Sequence, residues 1–219
     1  QLTRPSPTNL MRTKKVYESW IPFVNPTLSY VSNLFDIQNN HFAVLIAGGQ
    51  SLFFDVVRNG IDDVNNHGNV DRLVVAIDSE EMTYQGKYDE VQNEVSVKHC
   101  AAQIHIVVQH FCLETWALGN RRIGPHRPQN STLIKYRKMF NVAKQDPELL
   151  PPNIQENLNR AQFALKYLRL LFNERNPRIT YTKSNPTHLL HPTYFSEVKK
   201  RLNDTGHIAS FDNFLRAFV

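Results

Sequence analysis

Cysteine and long apolar runs are scarce in this sequence, and each shortage excludes a class of protein. Cys100 and Cys112 are the only cysteines, too few for a disulfide scaffold or a cysteine zinc cluster, and this usage is typical of a reducing cytoplasm. No run of about 18 apolar residues occurs, as a membrane-spanning helix would require, so we expect no membrane partner. The amino-terminal stretch QLTRPSPTNLMRTKK also lacks the apolar centre of a signal peptide.

Acidic residues are missing from two stretches of the chain. The window 121–138, RRIGPHRPQNSTLIKYRK, contains no Asp or Glu, and neither does the segment before Glu18. The basic residues of the window are Arg121, Arg122, Arg127, Lys135, Arg137 and Lys138. With a formal net charge of +5, the chain is suited to an anionic partner such as DNA or RNA without requiring one. A solvated surface explains the same window equally well.

Hydrophobic patterning predicts an α/β core up to about residue 130. Apolar runs predict buried strands at 41–49, 72–77 and 103–109, and helical periodicity predicts helices at 12–24, 50–64, 80–99 and 110–119. Strands that alternate with helices indicate a small, mainly parallel sheet between helices, as in Rossmann-like folds.

From residue 131 onwards the pattern is helical only. The segment 154–175 has the strongest signal, and helices are also expected at 192–204 and 210–218. An apolar stripe runs along the first of these through Leu158, Ala161, Leu165, Leu168 and Phe172. We therefore predict an α/β core over residues 1–130 and a helical extension over residues 131–219 that packs on it.

The stretch RLVVAIDSEE passes from an apolar strand into a cluster of carboxylates. In open α/β sheets, ligands bind beyond the carboxyl ends of the strands, and neighbouring carboxylates repel each other unless a cation lies between them. Asp78, Glu80 and Glu81 are therefore candidate ligands of Mg²⁺ (or Mn²⁺), and Asp78 and Glu80 are also candidate catalytic residues. The alternative is a turn in which Asp78 or Ser79 caps the following helix.

Glu114, in VVQHFCLETWALG, is a third candidate catalytic carboxylate. Its neighbours Phe111, Leu113 and Trp116 are apolar, so the segment is expected to be packed. A carboxylate in such a place needs a cation or a hydrogen-bond donor. A half-exposed helix residue or a cap partner remains the alternative.

Two weaker signals lie near these residues. AGGQS, at 47–51, is a strand-to-helix junction that suits either a phosphate or a tight turn, and it matches neither dinucleotide-binding nor P-loop patterns. His110 is a candidate for proton transfer or phosphate contact, with a capping or core role as the alternative. No G-x-S-x-G occurs and neither cysteine lies in a nucleophile motif, so acyl transfer has no support.

Taken in order, these segments resemble the toprim fold of topoisomerases, primases and phage-defence nucleases of the overcoming-lysogenization-defect type. RTKKVYESWIPFV resembles its first helix, HFAVLIAGG its second strand, and RLVVAIDSEE its Asp-x-Asp strand with Glu80 as the second acid. QHFCLETWALG is similar to a stretch of the defence branch. The resemblance covers roughly residues 10–120 and concerns order and pattern. It departs at the amino terminus, where Asn9, Leu10 and Met11 stand at the place of Glu-Gly.

The resemblance implies a Mg²⁺-dependent nuclease for DNA or RNA, acting as an effector of anti-phage defence. Asp78 and Glu80 would hold the metal, with Glu81 or Glu114 assisting, and the basic window would hold the nucleic-acid backbone. The missing Glu implies the alternative of a catalytically degenerate toprim-fold adaptor that docks a partner such as an ATPase. A Rossmann-like phosphotransferase that uses Asp78 on a small molecule is the least favoured interpretation.

Overall fold

The computed structural model describes residues 7–47 and 50–219, and it describes side chains from residue 14 onwards except at Gln50 and Ser51. Its helices are α1 (Pro7–Val24), α2 (Gln50–His67), α3 (Tyr84–Ser96), α4 (Leu113–Ala117), α5 (Ser131–Met139), α6 (Arg160–Arg175), α7 (Pro192–Thr205) and α8 (Ala209–Arg216). Its strands are β1 (Ser29–Tyr30), β2 (His41–Phe42), β3 (Arg72–Asp78) and β4 (Gln103–Gln109). The α/β class predicted from the sequence is confirmed. None of the helices described has both the length and the hydrophobicity that a membrane span requires.

Strands β3 and β4 form a parallel pair that is in register along its whole length. Arg72 lies beside Gln103 at one end and Asp78 beside Gln109 at the other. Strands β1 and β2 form a separate, two-residue parallel pair. Because β3 and β4 run in the same direction, their carboxyl ends meet at one edge, where parallel sheets place their ligands.

The β3–β4 pair is covered on both faces, as its apolar sequence predicts. Val75, Ile106 and Val108 face a core that they share with Ile61 of α2 and Val91 of α3. The alternate residues Val74, Ala76 and Val107 face a second and larger core. Since successive side chains of a strand point to opposite faces, the apolar positions of β3 and β4 divide between the two cores.

The larger core joins the amino-terminal helix to the carboxyl-terminal helices through aromatic contacts. The rings of Trp20 in α1 and Trp116 in α4 lie 5.8 and 5.3 Å from Phe211 in α8, both edge-on. Both indole N–H groups are satisfied, by the carbonyl oxygen of Leu189 at 2.8 Å and by Oγ of Ser210 at 2.7 Å. Burying each such ring contributes roughly 1.5–3 kcal/mol, so α4 is held firmly beside the end of β4.

The predicted strand at 41–49 is wrong over most of its length. Only His41–Phe42 forms a strand, and residues 43–47 have no regular structure. The partner strand β1 is only two residues long, so the backbone groups after Phe42 have no neighbouring strand to form hydrogen bonds with. Leu45 is more than half exposed. Gly48 and Gly49 of the AGGQS junction lie outside the described residues.

Two helices near the carboxylates are shorter than predicted, and a third is longer. Helix α3 begins at Tyr84 because the Thr83 side chain accepts a hydrogen bond from the N–H of Gly86, so neither Asp78 nor Ser79 caps it. Helix α4 covers only Leu113–Ala117 of the predicted 110–119. Helix α1 begins at Pro7, so residues 9–11 lie inside it.

Helix α6 begins six residues later than its sequence signal, because Asn159 and Gln162 form a capping box there. Its buried face consists of Phe163, Ala164, Tyr167, Leu168, Leu171 and Phe172. The predicted stripe is therefore offset: Leu168 and Phe172 are buried, whereas Leu158, Ala161 and Leu165 are only partly buried at its margin.

Candidate functional site

Asp78 lies at the carboxyl end of β3, on the face of the sheet that packs against the larger core. It follows Val74 and Ala76 in the strand alternation. Its side chain is partly exposed, and the nearby backbone N–H of Leu113 lowers its pKa. Leu113 is the first residue of α4, and Glu114 is the next.

Glu114 is almost fully buried and is bound by two residues from a distant part of the chain. Its side chain is 2% exposed. The hydroxyl of Tyr181 donates to its Oε1 at 3.0 Å, and Nζ of Lys183 lies 3.9 Å from its Oε2. Asp78, Glu114, Tyr181 and Lys183 are here called the carboxylate centre.

Sequence reasoning missed Tyr181 and Lys183, which belong to the irregular segment between α6 and α7. A turn closed by an isolated bridge between Thr182 and Asn185 presents Lys183 to the carboxylates. No motif surrounds this lysine. The available signal is physical: the predicted burial of Glu114 requires a cation or donor from elsewhere in the chain.

Burial and neighbouring negative charge shift the protonation of Asp78 towards neutral pH. The pKa of Asp78 is raised from its usual 3.8 to about 7, mainly by burial and also by the carboxylates of Glu114 and Glu80. The ammonium of Lys183 and the Leu113 N–H act in the opposite direction. Asp78 is therefore a carboxylate that exchanges its proton near physiological pH, as a general base does.

Lys183 remains a cation at the mouth of the centre. The Glu114 carboxylate raises the pKa of Lys183 above its usual value, and this effect exceeds the opposing effect of burial. The Lys183 side chain is 41% exposed, unlike that of Glu114 beneath it. The Lys183 ammonium thus lies on the solvent side of two carboxylates, that of Glu114, which is buried, and that of Asp78, which is partly buried.

Cys112 and Tyr17 border the centre in their protonated forms. Burial, followed by the charges of Glu114 and Asp78, raises the pKa of the Cys112 thiol well above its usual value. Burial and the Asp78 charge likewise raise the pKa of the Tyr17 hydroxyl. Cys112 is therefore not a thiolate nucleophile, consistent with its position outside any such motif.

The structure brings Glu80 to the centre and places Glu81 elsewhere. Glu80 is exposed, has a left-handed backbone with φ 51°, and acts on both Asp78 and Lys183. A non-glycine residue in that conformation costs on the order of 1 kcal/mol, and such residues cluster at functional sites. Glu81 accepts a hydrogen bond from the N–H of Arg160 at 2.8 Å and forms an ion pair with its guanidinium at 3.8 Å, at the start of α6.

His110 lies on the other side of the strand ends, beside a groove of about 360 Å³. Its Nδ1 is 2.8 Å from Oγ of Ser79, which is fully buried and so is not an accessible nucleophile. Burial and the nearby Arg160 guanidinium lower the pKa of His110. The groove is lined mainly by apolar side chains, including those of Phe111 and Leu149.

The basic window divides into residues with internal partners and residues exposed to solvent. Arg121 and Arg122 form ion pairs with Asp204 and Glu197 of α7, and Arg137 donates to the carbonyl oxygens of Pro125 and His126. Arg127, Lys135 and Lys138 are exposed, and Arg122 is also exposed despite its ion pair. Within residues 14–47 and 52–219, no hydrogen bond or ion pair joins the window to the carboxylate centre.

No family model matches the chain. No curated protein and no solved structure matches it either. Its function is therefore inferred from the site itself.

The donor set of the carboxylate centre fits a hard divalent cation. Among the described residues, no group of three or more His, Cys, Asp and Glu side chains is arranged to hold a metal ion. Mg²⁺, however, commonly takes only one or two protein carboxylates and completes its shell with water and substrate phosphates. Asp78 and Glu114 supply such a pair.

Proposed function

We propose that this protein hydrolyses phosphodiester bonds of DNA or RNA in a reaction that uses Mg²⁺ or Mn²⁺. The observation that carries the proposal is the convergence of Asp78, Glu114 and Lys183 at the carboxyl edge of two parallel strands. Asp78, Glu114 and Lys183 come from three separate segments of the chain. A turn with a structural role alone does not require two acids and a cation to meet in this way. The metal, held by Asp78 and Glu114 with Glu80 beside them, would stabilise the negative charge of the phosphoryl group.

The residues of the centre have distinct roles in this reaction. Asp78 accepts a proton from the attacking water as a general base. The Lys183 ammonium stabilises the negative charge that grows on the phosphoryl oxygens. A bond forms between the water oxygen and phosphorus, the ester bond to the sugar oxygen breaks, and the leaving oxygen takes a proton from solvent.

Nucleic acid is the substrate class that the basic window supports. Arg127, Lys135 and Lys138 are exposed, and cations of this kind hold the phosphate backbone without reading its sequence. The resemblance of residues 10–120 to toprim-fold defence nucleases adds a cellular setting to the proposal, that of a cytoplasmic effector in anti-phage defence.

Cleavage of labelled plasmid, single-stranded DNA and tRNA with Mg²⁺ or Mn²⁺ tests the proposal. We expect Asp78→Ala and Glu114→Gln to reduce cleavage by roughly 100-fold or more. The matched control is Asp89→Ala, which removes an exposed carboxylate of α3. Equal cleavage by all four proteins would show that the activity belongs to another site or to a contaminant.

The exposed apolar residues between α5 and α6 favour one alternative function, that of an adaptor. Leu149 is 71% exposed at the rim of the groove, and Ile154 is 85% exposed nearby in the same segment. Exposed apolar patches are typical of protein-docking surfaces. A catalytically degenerate adaptor that docks a partner such as an ATPase is the function we would adopt if the wild-type protein binds nucleic acid but cleaves none of these substrates.

A further inference from the structure

Gln109 has a buried amide group with an unused hydrogen-bond donor. It is the last residue of β4, and it is 2% exposed. Its Nε2 has no hydrogen-bond partner among the described residues. A buried donor without a partner costs about 1–3 kcal/mol, so such a group in a folded protein requires an explanation.

The geometry of the sheet directs this donor to the carboxylate centre. Gln109 is the register neighbour of Asp78 across the β3–β4 pair, and neighbouring strands lie about 4.8 Å apart. Gln109 alternates with Val107 on the face of the larger core, just as Asp78 alternates with Ala76. The two side chains therefore leave the same edge of the sheet on the same face.

The surroundings of Gln109 on this face are rich in acceptors. The Asp78 carboxylate leaves this face, the Glu114 carboxylate is close enough to raise the pKa of Asp78, and each carboxylate oxygen has two lone pairs. The Tyr181 hydroxyl and the Lys183 ammonium use only part of the capacity of Glu114. A water molecule between these groups would receive one hydrogen bond and donate two, within the two to four partners that buried waters have.

We propose that Gln109 positions the attacking water of the phosphodiesterase reaction, by donating from Nε2 to the oxygen of a water molecule held by Asp78 and Glu114. This inference rests on the proposed function. With one lone pair used by Gln109 and both hydrogens directed at carboxylates, the second lone pair of the water remains for phosphorus. As the new oxygen–phosphorus bond forms and the ester bond breaks, the proton of the water passes to Asp78. Gln109 gains and loses no proton and is a positioning residue.

The test combines a crystal structure at atomic resolution with steady-state kinetics. Gln109→Met keeps the size of the side chain and removes the donor, and Gln109→Leu is a second variant in case the first packs poorly. The control is Gln103→Leu at the exposed opposite end of the same strand. Urea unfolding establishes that each variant is folded.

The expected result has a structural part and a kinetic part. In the wild type, a water should lie about 2.7–3.2 Å from Nε2 of Gln109 and within hydrogen-bond distance of Asp78, and it should be missing in Gln109→Met. The kcat of Gln109→Met should fall roughly 10- to 100-fold with little change in KM, because substrate contacts are intact and only the nucleophile is misplaced. Gln103→Leu should change neither quantity.

The outcomes separate this inference from the proposed function. A wild-type structure without a water at Nε2 overturns the inference, whether or not the protein cleaves nucleic acid. If the water is present but Gln109→Met and Gln103→Leu have the same kcat, Gln109 does not position the attacking water. A water that is present in a protein that cleaves no nucleic acid supports the water site and refutes the proposed function.

Discussion

Tyr181 donates its hydroxyl hydrogen to Oε1 of Glu114 at 3.0 Å, and this bond ties the segment between α6 and α7 to the start of α4. Both side chains are buried, at 2% exposure each. The same segment carries Lys183 to the other oxygen of Glu114. One hydrogen bond thus connects the helical part of the chain to the end of the parallel strands.

Tyr181→Phe should destabilise the protein by about 1–3 kcal/mol. The substitution keeps the ring and leaves a buried carboxylate oxygen without its donor, and the desolvation cost of that oxygen is then uncompensated. Urea unfolding followed by circular dichroism measures the effect. Tyr30→Phe, on an exposed tyrosine, should change stability by less than about 0.5 kcal/mol. Equal effects of the two variants would contradict the importance of this bond.

Lys183→Met should destabilise the protein at pH 8 by about 1 kcal/mol and by less at pH 5. Lys183 compensates the charges of Glu114 and Asp78, and Asp78 loses its charge as the pH falls below about 7. The side chain is 41% exposed, so solvent screening keeps the effect small. Lys166→Met, which removes an exposed lysine paired with Glu156, is the control and should show no such pH dependence.

Asp78→Asn should stabilise the metal-free protein at pH 8 while it abolishes cleavage. In the folded state the pKa of Asp78 is about 7 against its usual 3.8, so the folded protein binds more protons and loses stability as the pH rises through that interval. The full difference corresponds to about 4 kcal/mol, and partial exposure of the side chain reduces it. Unfolding curves at pH 4 to 8 with a chelator should be flatter for Asp78→Asn than for wild type. A wild-type curve that is already flat would refute the shift.

Glu148→Gln should have a similar effect on stability without an effect on cleavage chemistry. Burial raises the pKa of Glu148 to about 7, although the N–H and hydroxyl of Ser210 donate to its carboxylate. As the pH rises from the usual pKa of 4.5 to about 7, Glu148 therefore stabilises the folded state less. The loss of stability is at most about 3 kcal/mol. At pH 8 the variant should be more stable than wild type, and at pH 4 the difference should vanish. Glu94→Gln, on a more exposed residue paired with Arg58, is the matched control.

Lys138→Ala should weaken binding to all nucleic-acid sequences alike and reduce the salt dependence of binding. An exposed lysine that contacts one phosphate contributes about one unit to the slope of log K against log salt. Arg122→Ala should have a smaller effect, because Arg122 already pairs with Glu197 at 3.0 Å. The measurement is the Kd for labelled single-stranded DNA over a series of KCl concentrations. Identical slopes of log K against log salt for Lys138→Ala and wild type would show that Lys138 does not contact the nucleic acid.

Strong local patterns were sufficient to predict the elements that position the site. The apolar runs before Asp78 and through Val107 predicted β3 and β4 almost to the residue, because a run covered on both faces has few other stable conformations. Helices α2, α7 and α8 were also located within a few residues. The run at 41–49 has the same apolar character and yet forms only two residues of strand, since a strand also needs a partner of matching length.

The apolar residues around them were sufficient to identify Asp78 and Glu114 as candidates and to expect the segment of Glu114 to be packed. Only the tertiary structure decided how those charges are compensated. Tyr181 and Lys183 come from a segment without a motif, Glu81 is drawn to the start of α6, and Gln109 becomes important through the strand register that sets it beside Asp78. Long-range packing makes these choices, because the cost of a buried charge or donor depends on which groups the fold brings within a few ångströms of it.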